Sequence, residues 1–319
     1  MEDIKFALGF SPLNYYNNNI ESFDNFCKLN NDKIEHWYIS HPYTWRFKEI
    51  YTDNFREQEE NFKKQLLVIK NNNQKLQFAL NTNFDRLGVF EIPVILFLAL
   101  DFKIKYEKYK KVDSVVCLGR YAKYIKWIFP KATFTYSFCN NIDKLNTKDL
   151  KYFDTIVIGR KYLKDIEFMR TLKDKYNLKI ELLLNCACHS LCNYKCFDDS
   201  CYKLQKSLID SKGIDWCVAT QSLIPSELNL YPNGLIDIYK LSTRPSTLEW
   251  MQAELDLYSG KKFLSDLDFS YFKPNFYKLI CCTQAISDLL DDNIPNIDKV
   301  LEIKSEEWSN ILKKDIRVW

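Results

Sequence analysis

The sequence is poor in histidine, with three in 319 residues. Catalytic triads and histidine-bound metals therefore have little to draw on. The His-Glu-x2-His pair of a zinc protease is missing, and so is the Gly-x-Ser-x-Gly turn that exposes a serine nucleophile. Excess charge is also lacking: 45 basic residues stand against 42 acidic ones, a net of +3. A nucleic-acid binder usually shows a basic excess or stripe, so nucleic acid is not indicated. No long apolar run exists. The longest, Val94 to Leu100, is far too short to span a bilayer. The N-terminus, Met1-Glu2-Asp3-Ile4-Lys5, lacks the basic and apolar regions of a signal peptide. A cytoplasmic protein in a reducing compartment is expected, and a disulfide framework is not. Internal repeats and low-complexity linkers are absent too.

What the chain does have is cysteine. Six of its eleven cysteines fall between 186 and 217, spaced Cys-x-Cys-x3-Cys-x3-Cys-x4-Cys-x15-Cys. The run begins where an apolar, strand-like segment, Leu178 to Leu184, stops. Thiolates gathered on one loop at a strand end suit a soft metal centre. Two Cys-x2-Cys knuckles, the mark of a zinc ribbon, are absent. An iron–sulfur cluster is the preferred occupant, ahead of zinc and of reduced cysteines packed as small apolar groups. The Cys-x3-Cys-x2-Cys of radical-SAM enzymes is not present.

Hydrophobic content of 46% and aromatic content of 15% argue for a well-filled core. Strand and helix patterns alternate along it. Short runs rich in Ile, Val, Leu, Phe and Tyr predict strands at Ile4–Gly9, Ile34–Ser40, Leu76–Leu80, Ser114–Cys117, Thr133–Ser137, Thr155–Ile158, Lys179–Leu184 and Ile236–Leu241. Helical segments intervene at Asn54–Lys70, Ile92–Tyr106, Ala122–Ile128, Leu163–Tyr176 and Ser200–Ser211. Ser246-Thr247-Leu248-Glu249 reads as a capping box, and Gly260 stops the helix it opens. Eight strands with interposed helices predict a (β/α)8 TIM-like barrel over 1–260, with a doubly wound open sheet as the alternative. Residues 261–319 read as a C-terminal helical extension, with helices at Asn275–Leu290 and Ser305–Lys314.

Barrel chemistry sits at the C-terminal ends of the strands. Those positions hold, among others, His41, Arg120, Arg160, Asn185, Lys240 and Arg244, and the cysteine loop follows the seventh strand onto the same face. His41 is an acid–base or substrate-binding candidate, and His36 reads as a strand residue only. Lys240 and Arg244 lie four apart and share a face, which suits a carboxylated substrate with Arg244 as a bidentate clamp. The competing reading of the pair is an internal salt bridge to Glu181 or Asp237. Arg120 and Arg160, each after a glycine, are similar candidates.

Three local patterns resemble the U-32 peptidase (collagenase-like) family. Leu184-Asn185-Cys186-Ala187-Cys188-His189-Ser190-Leu191-Cys192 is similar to its Asn-x-x-Cys-x3-Cys after a core strand. Trp216-Cys217 through Leu223-Ile224-Pro225-Ser226-Glu227-Leu228 resembles a cysteine followed by Ile-Arg-Pro-Glu-Asp-Leu. Ile238-Tyr239-Lys240-Leu241-Ser242-Thr243-Arg244 looks like the Phe-Lys-Ile-x-Gly-Arg strand. Together they cover about 180–260. Ile224 stands where the family has arginine, and Ser242 stands near its usual glycine. The resemblance implies a barrel fold. It also implies kinship with members that hold a 4Fe-4S cluster and support oxygen-independent hydroxylation, several with prephenate as oxygen donor.

Cys188 and Cys192, at i and i+4, can present both sulfurs on one side of a helical turn. Cys217 matches the family's third cysteine. Cys201 is taken as the fourth ligand, ahead of Cys196, Cys186 and the Cys281-Cys282 pair. His189 is read as a solvated loop residue, and Cys27, Cys117 and Cys139 as inert core groups. Three functions compete: a cluster-dependent redox enzyme or subunit, a peptidase, and a noncatalytic scaffold pairing with a homologous partner subunit.

Overall fold

The computed structural model describes residues 4–10, 19–42, 55–80, 90–137, 145–159, 162–184, 207–221, 223, 225–241, 247–260 and 296–315. Eight parallel strands close into a barrel in sequence order: β1 (Phe6–Gly9), β2 (Ile34–Ser40), β3 (Lys75–Leu80), β4 (Ser114–Cys117), β5 (Thr133–Tyr136), β6 (Thr155–Ile158), β7 (Lys179–Leu183) and β8 (Ile238–Leu241). β1 pairs with both β2 and β8, so the sheet has no edge. Each predicted strand forms within two residues of its expected bounds. The open-sheet alternative is excluded by the β1–β8 pairing.

Helices cover the outside: α1 (Ile20–Leu29), α2 (Phe55–Asn71), α3 (Glu91–Tyr106), α4 (Gly119–Ile128), α5 (Ile166–Tyr176), α6 (Ile214–Gln221) and α7 (Leu248–Tyr258). Between β5 and β6 the described residues hold only a 3-10 turn, Leu150–Tyr152. Aromatic rings fill the layer between sheet and helices. Phe78 of β3 stacks on Phe102 of α3 at 3.9 Å, and Trp37 of β2 meets Phe10, Phe23 and Phe26. Such pairs add stability beyond the area they bury, and they hold the helices to the sheet.

Three local expectations are corrected. The cap of α7 is Thr247, which accepts from Trp250 N, so its third helical residue is Trp250 rather than Glu249; Ser246 lies outside the described residues. The helix expected to end at Ser211 runs on to residue 212. Gly213 follows it at φ +83, a left-handed conformation that favours glycine, and α6 then begins. α4 starts at Gly119, where an added Cβ would lie 2.9 Å from both Asp149 and Tyr136, rather than at Ala122.

The last element, α8 (Ile297–Asp315), packs on α6 and on the 3-10 helix Pro225–Leu230. The Asn275–Leu290 helix lies outside the described residues. Among the described residues no helix is long and apolar enough to cross a membrane.

Candidate functional site

Parallel register fixes which side chains face the lumen. Ala7 is level with His36 and Lys240, Tyr38 with Gln77, Val116 with Thr135, and Glu181 with Val157 and Ile238. Contacts between non-neighbouring strands confirm that this set points inward. His36 of β2 reaches Glu181 of β7, Gln77 of β3 donates to Thr135 Oγ1 of β5, and Lys240 Nζ of β8 lies 4.2 Å from the ring centre of Tyr38. Barrels of this type are usually filled with bulky branched residues. Here the middle of the lumen is polar.

At its heart is an ion pair. Lys240 Nζ lies 2.6 Å from Glu181 Oε1, and Glu181 is fully buried. Burial pushes the Glu181 carboxyl up, but the Lys240 ammonium and His36 pull harder the other way and hold it below the usual carboxylate range. Burial lowers the His36 pKa against the opposing pull of Glu181, so the imidazole is neutral at pH 7. His36 Nε2 and Glu181 Oε2 are 3.5 Å apart, an ion-pair distance but outside hydrogen-bond geometry, and neither atom has a hydrogen-bond partner. The same holds for Gln77 Oε1. Gln77 also helps hold Glu181 as a carboxylate. His36 was read as a strand residue only, and Glu181 only as a salt-bridge partner. The available signal was charge at alternate positions of strands otherwise read as apolar.

Two residues further along β1, β2, β3, β5, β6 and β7, the inward positions are Gly9, Ser40, Ala79, Ser137, Gly159 and Leu183, all buried. Except for Leu183 these are small. A Cβ on Gly159 would meet Leu183 at 3.4 Å, which confirms that Gly159 faces the lumen.

The sequence-predicted site residues divide. Lys240 lies in the lumen as expected, bonded to Glu181, the salt bridge that was the competing reading of the residue. His41 is elsewhere. It follows β2 on the outward side, fully buried among Phe78, Phe102 and Tyr106, with Nε2 3.1 Å from Asp101 of α3. Burial drives its pKa down to about 4 despite the opposing pull of Asp101. Arg120 is a helix residue, its guanidinium on Glu91. Arg244 and Arg160 lie outside the described residues, as do Cys188, Cys192 and Cys201.

The base of the cysteine segment is described. Leu184 N bonds Lys240 O at 2.9 Å, and Leu184 O accepts from Leu223 N at 2.9 Å. Leu223 O in turn accepts from Tyr258 OH of α7 at 2.7 Å. The chain that leaves β7 with Cys186 thus returns to its starting point after Cys217. Cys217 itself lies on α6, about 6 Å of helix before Gln221. α8 braces this return. Lys304 Nζ donates to Ala219 O and Glu227 Oε2, and Trp308 Nε1 donates to Glu227 Oε1, all buried. Glu227 appeared in the sequence only as part of the Pro225 motif; its partners, more than seventy residues away, gave no local signal. Cys27 and Cys117 are buried in the core, where burial pushes their thiols far up and keeps them protonated.

No protein-family model and no curated protein sequence matches the chain. Among solved structures it is similar to a U32 peptidase, at 9% identity and a TM-score of 0.39, over 76% of this chain and 93% of that one. It is also similar to a monomeric dihydrodipicolinate synthase variant, at 10% identity and a TM-score of 0.39, over 98% and 97%. Likeness at this level says nothing of activity, and the closed barrel rests on its own strand pairing.

Proposed function

We propose that the chain is an iron–sulfur protein of the U-32 peptidase-like kind, acting as a redox enzyme or enzyme subunit on a small carboxylated substrate. Cys188, Cys192, Cys201 and Cys217 would hold a 4Fe-4S cluster above β7. The observation that supports this best is the Leu184–Leu223 closure, which brackets a six-cysteine segment at the C-terminal end of the strand that carries Glu181. The donor set fits. Four thiolates are needed, six cysteines are available between those anchors, and the buried Cys27 and Cys117 lie elsewhere. The cluster, when bound, supplies electrons one at a time. The chain's own residues supply the pocket. Because Lys240 is already neutralised by Glu181, the cation proposed to clamp a substrate carboxylate is Arg244, just past the end of β8.

Anaerobic purification followed by an absorbance spectrum and iron and sulfide counts tests the reading. A brown protein with about four irons per chain is expected. Cys188→Ser and Cys192→Ser should lose the iron, whereas Cys27→Ser should keep it. A colourless preparation with stoichiometric zinc overturns the proposal.

A second reading, a noncatalytic cluster-bearing scaffold with a homologous partner subunit, is favoured by one observation: the interior charges already satisfy each other. Arg244→Ala separates the two. On the enzyme reading it weakens binding of a small carboxylate such as prephenate by about 2 kcal/mol with iron content unchanged. On the scaffold reading it changes stability alone.

A further inference from the structure

α6 has eight residues and carries Cys217 near its middle. So short a helix is marginal by itself, and its position is set by what it touches. α8 touches it at both ends. In the first turn of α6, Asp215 Oδ1 accepts from the backbone N–H of Asn296 at 2.6 Å, and Asp215 Oδ2 lies 3.6 Å from Lys299 Nζ. Asn296 stands directly before α8 and caps it, its Oδ1 accepting from Lys299 N at 3.2 Å. The Asp215 carboxylate therefore sits at the N-terminal ends of two helices, where an anion is favoured.

At the other end of α6 the last carbonyls lack intrahelical donors. Ala219 O would take the N–H of Leu223, but that group bonds Leu184 O instead. Lys304 Nζ fills the place, buried and 2.6 Å from Ala219 O, with its charge balanced by Glu227 Oε2 at 3.0 Å. A cation is favoured at a helix C-terminus. Asp215 and Ala219 are about 6 Å apart along α6, and Lys299 and Lys304 about 7.5 Å apart along α8. The two ties thus form together, with the helices running in the same sense. Cys217 lies midway between them in the chain.

We infer that Asp215 and Lys304 are positioning residues for Cys217: α8 clamps the helix that carries it, so that docking of α8 and binding of the cluster are linked. The inference rests on the reading of Cys217 as a cluster ligand. Linkage is reciprocal. The hold that α8 gives a cluster at Cys217 is returned by the cluster to α8, and release of α8 frees iron.

Four full-length chains purified anaerobically test it: wild type, Lys304→Met, Asp215→Ala and Lys164→Met. Lys164 ties α8 through Glu307 and, among the described residues, bonds nothing on α6. Lys304→Met and Asp215→Ala should each release iron to a chelator about tenfold faster than wild type. Both should alter the visible circular dichroism of the cluster and quicken hydrogen exchange over residues 214–221. Lys164→Met should match the wild type in all three, whatever its melting temperature. Removing iron from the wild type should quicken exchange over 297–315. Where Lys304→Met does not fold, Asp215→Ala, at the exposed end of the clamp, decides alone. An iron-bearing wild type whose clamp variants keep its release rate or its dichroism overturns this inference and leaves the cluster reading standing. So does a Lys164→Met chain that releases iron as fast as they do, since α8 would then act through general stability. A wild type that binds no iron overturns the cluster reading and this inference with it.

Discussion

Glu181 and Lys240 illustrate how a buried pair constrains what a single residue can do. Neither could remain charged in the lumen alone, since an isolated buried charge is strongly disfavoured. Their contact at 2.6 Å is what lets both stay ionised there. Removing one partner leaves the other without compensation, so Lys240→Met or Glu181→Gln should destabilise the chain by about 3–5 kcal/mol. The double replacement Lys240→Met with Glu181→Leu should recover most of that loss. Urea unfolding of the three variants measures the coupling. If the double variant is as unstable as the sum of the singles, the pair is not the unit described here.

At the level of elements, the strands were legible and the cysteine segment's support was not. Runs such as Ser114–Cys117 and Thr155–Ile158 announce themselves because a strand buried on both faces needs a continuous apolar run. The inward and outward identities of those runs were not legible, because register decides them and register depends on neighbouring strands. That is why His41 read as a barrel-mouth residue: it follows β2 directly, yet one step of alternation turns it outward onto α3. Arg120 stands where it was expected, directly after β4, but in the first turn of α4 with its guanidinium on Glu91. α8 was foreseen as a helix over Ser305–Lys314, but not its docking, which depends on Glu227 accepting from both Lys304 and Trp308. Lys304 is held neutral-ward by burial and charged by Glu227, with burial the larger effect. Glu227→Gln should therefore loosen α8 locally. Hydrogen exchange in residues 297–315 should quicken by at least tenfold while the β2–β4 amides keep their protection. Uniform loss of protection would show instead that α8 and the barrel unfold as one unit.

The whole molecule should inherit an acid limit from its buried histidines. His36 and His41 both titrate below their ordinary value of 6.5 because burial disfavours the charged ring, His41 at about 4. In the unfolded chain both would protonate near 6.5. Between about pH 6.5 and 4 the unfolded state therefore binds more protons than the folded one, and stability must fall as pH falls. Glu181 acts in the same direction at the lower end, since the Lys240 ammonium, outweighing burial, holds its folded pKa below the ordinary carboxylate value and its contribution disappears as it protonates. His41 alone accounts for a loss on the order of 3 kcal/mol across its window. Its ring is wrapped by Phe78, Phe102 and Tyr106, so an apolar ring of similar size can take its place. His41→Phe should flatten the pH dependence of the melting temperature between 6.5 and 4, while at pH 8 it forfeits the Asp101 contact and starts from a lower value. An unchanged slope in that variant would mean that His41 is already protonated in the folded chain at neutral pH, held so by Asp101. The outward layer between β2, β3 and α3 would then be a buried charge pair, and the acid limit would have to come from the lumen alone.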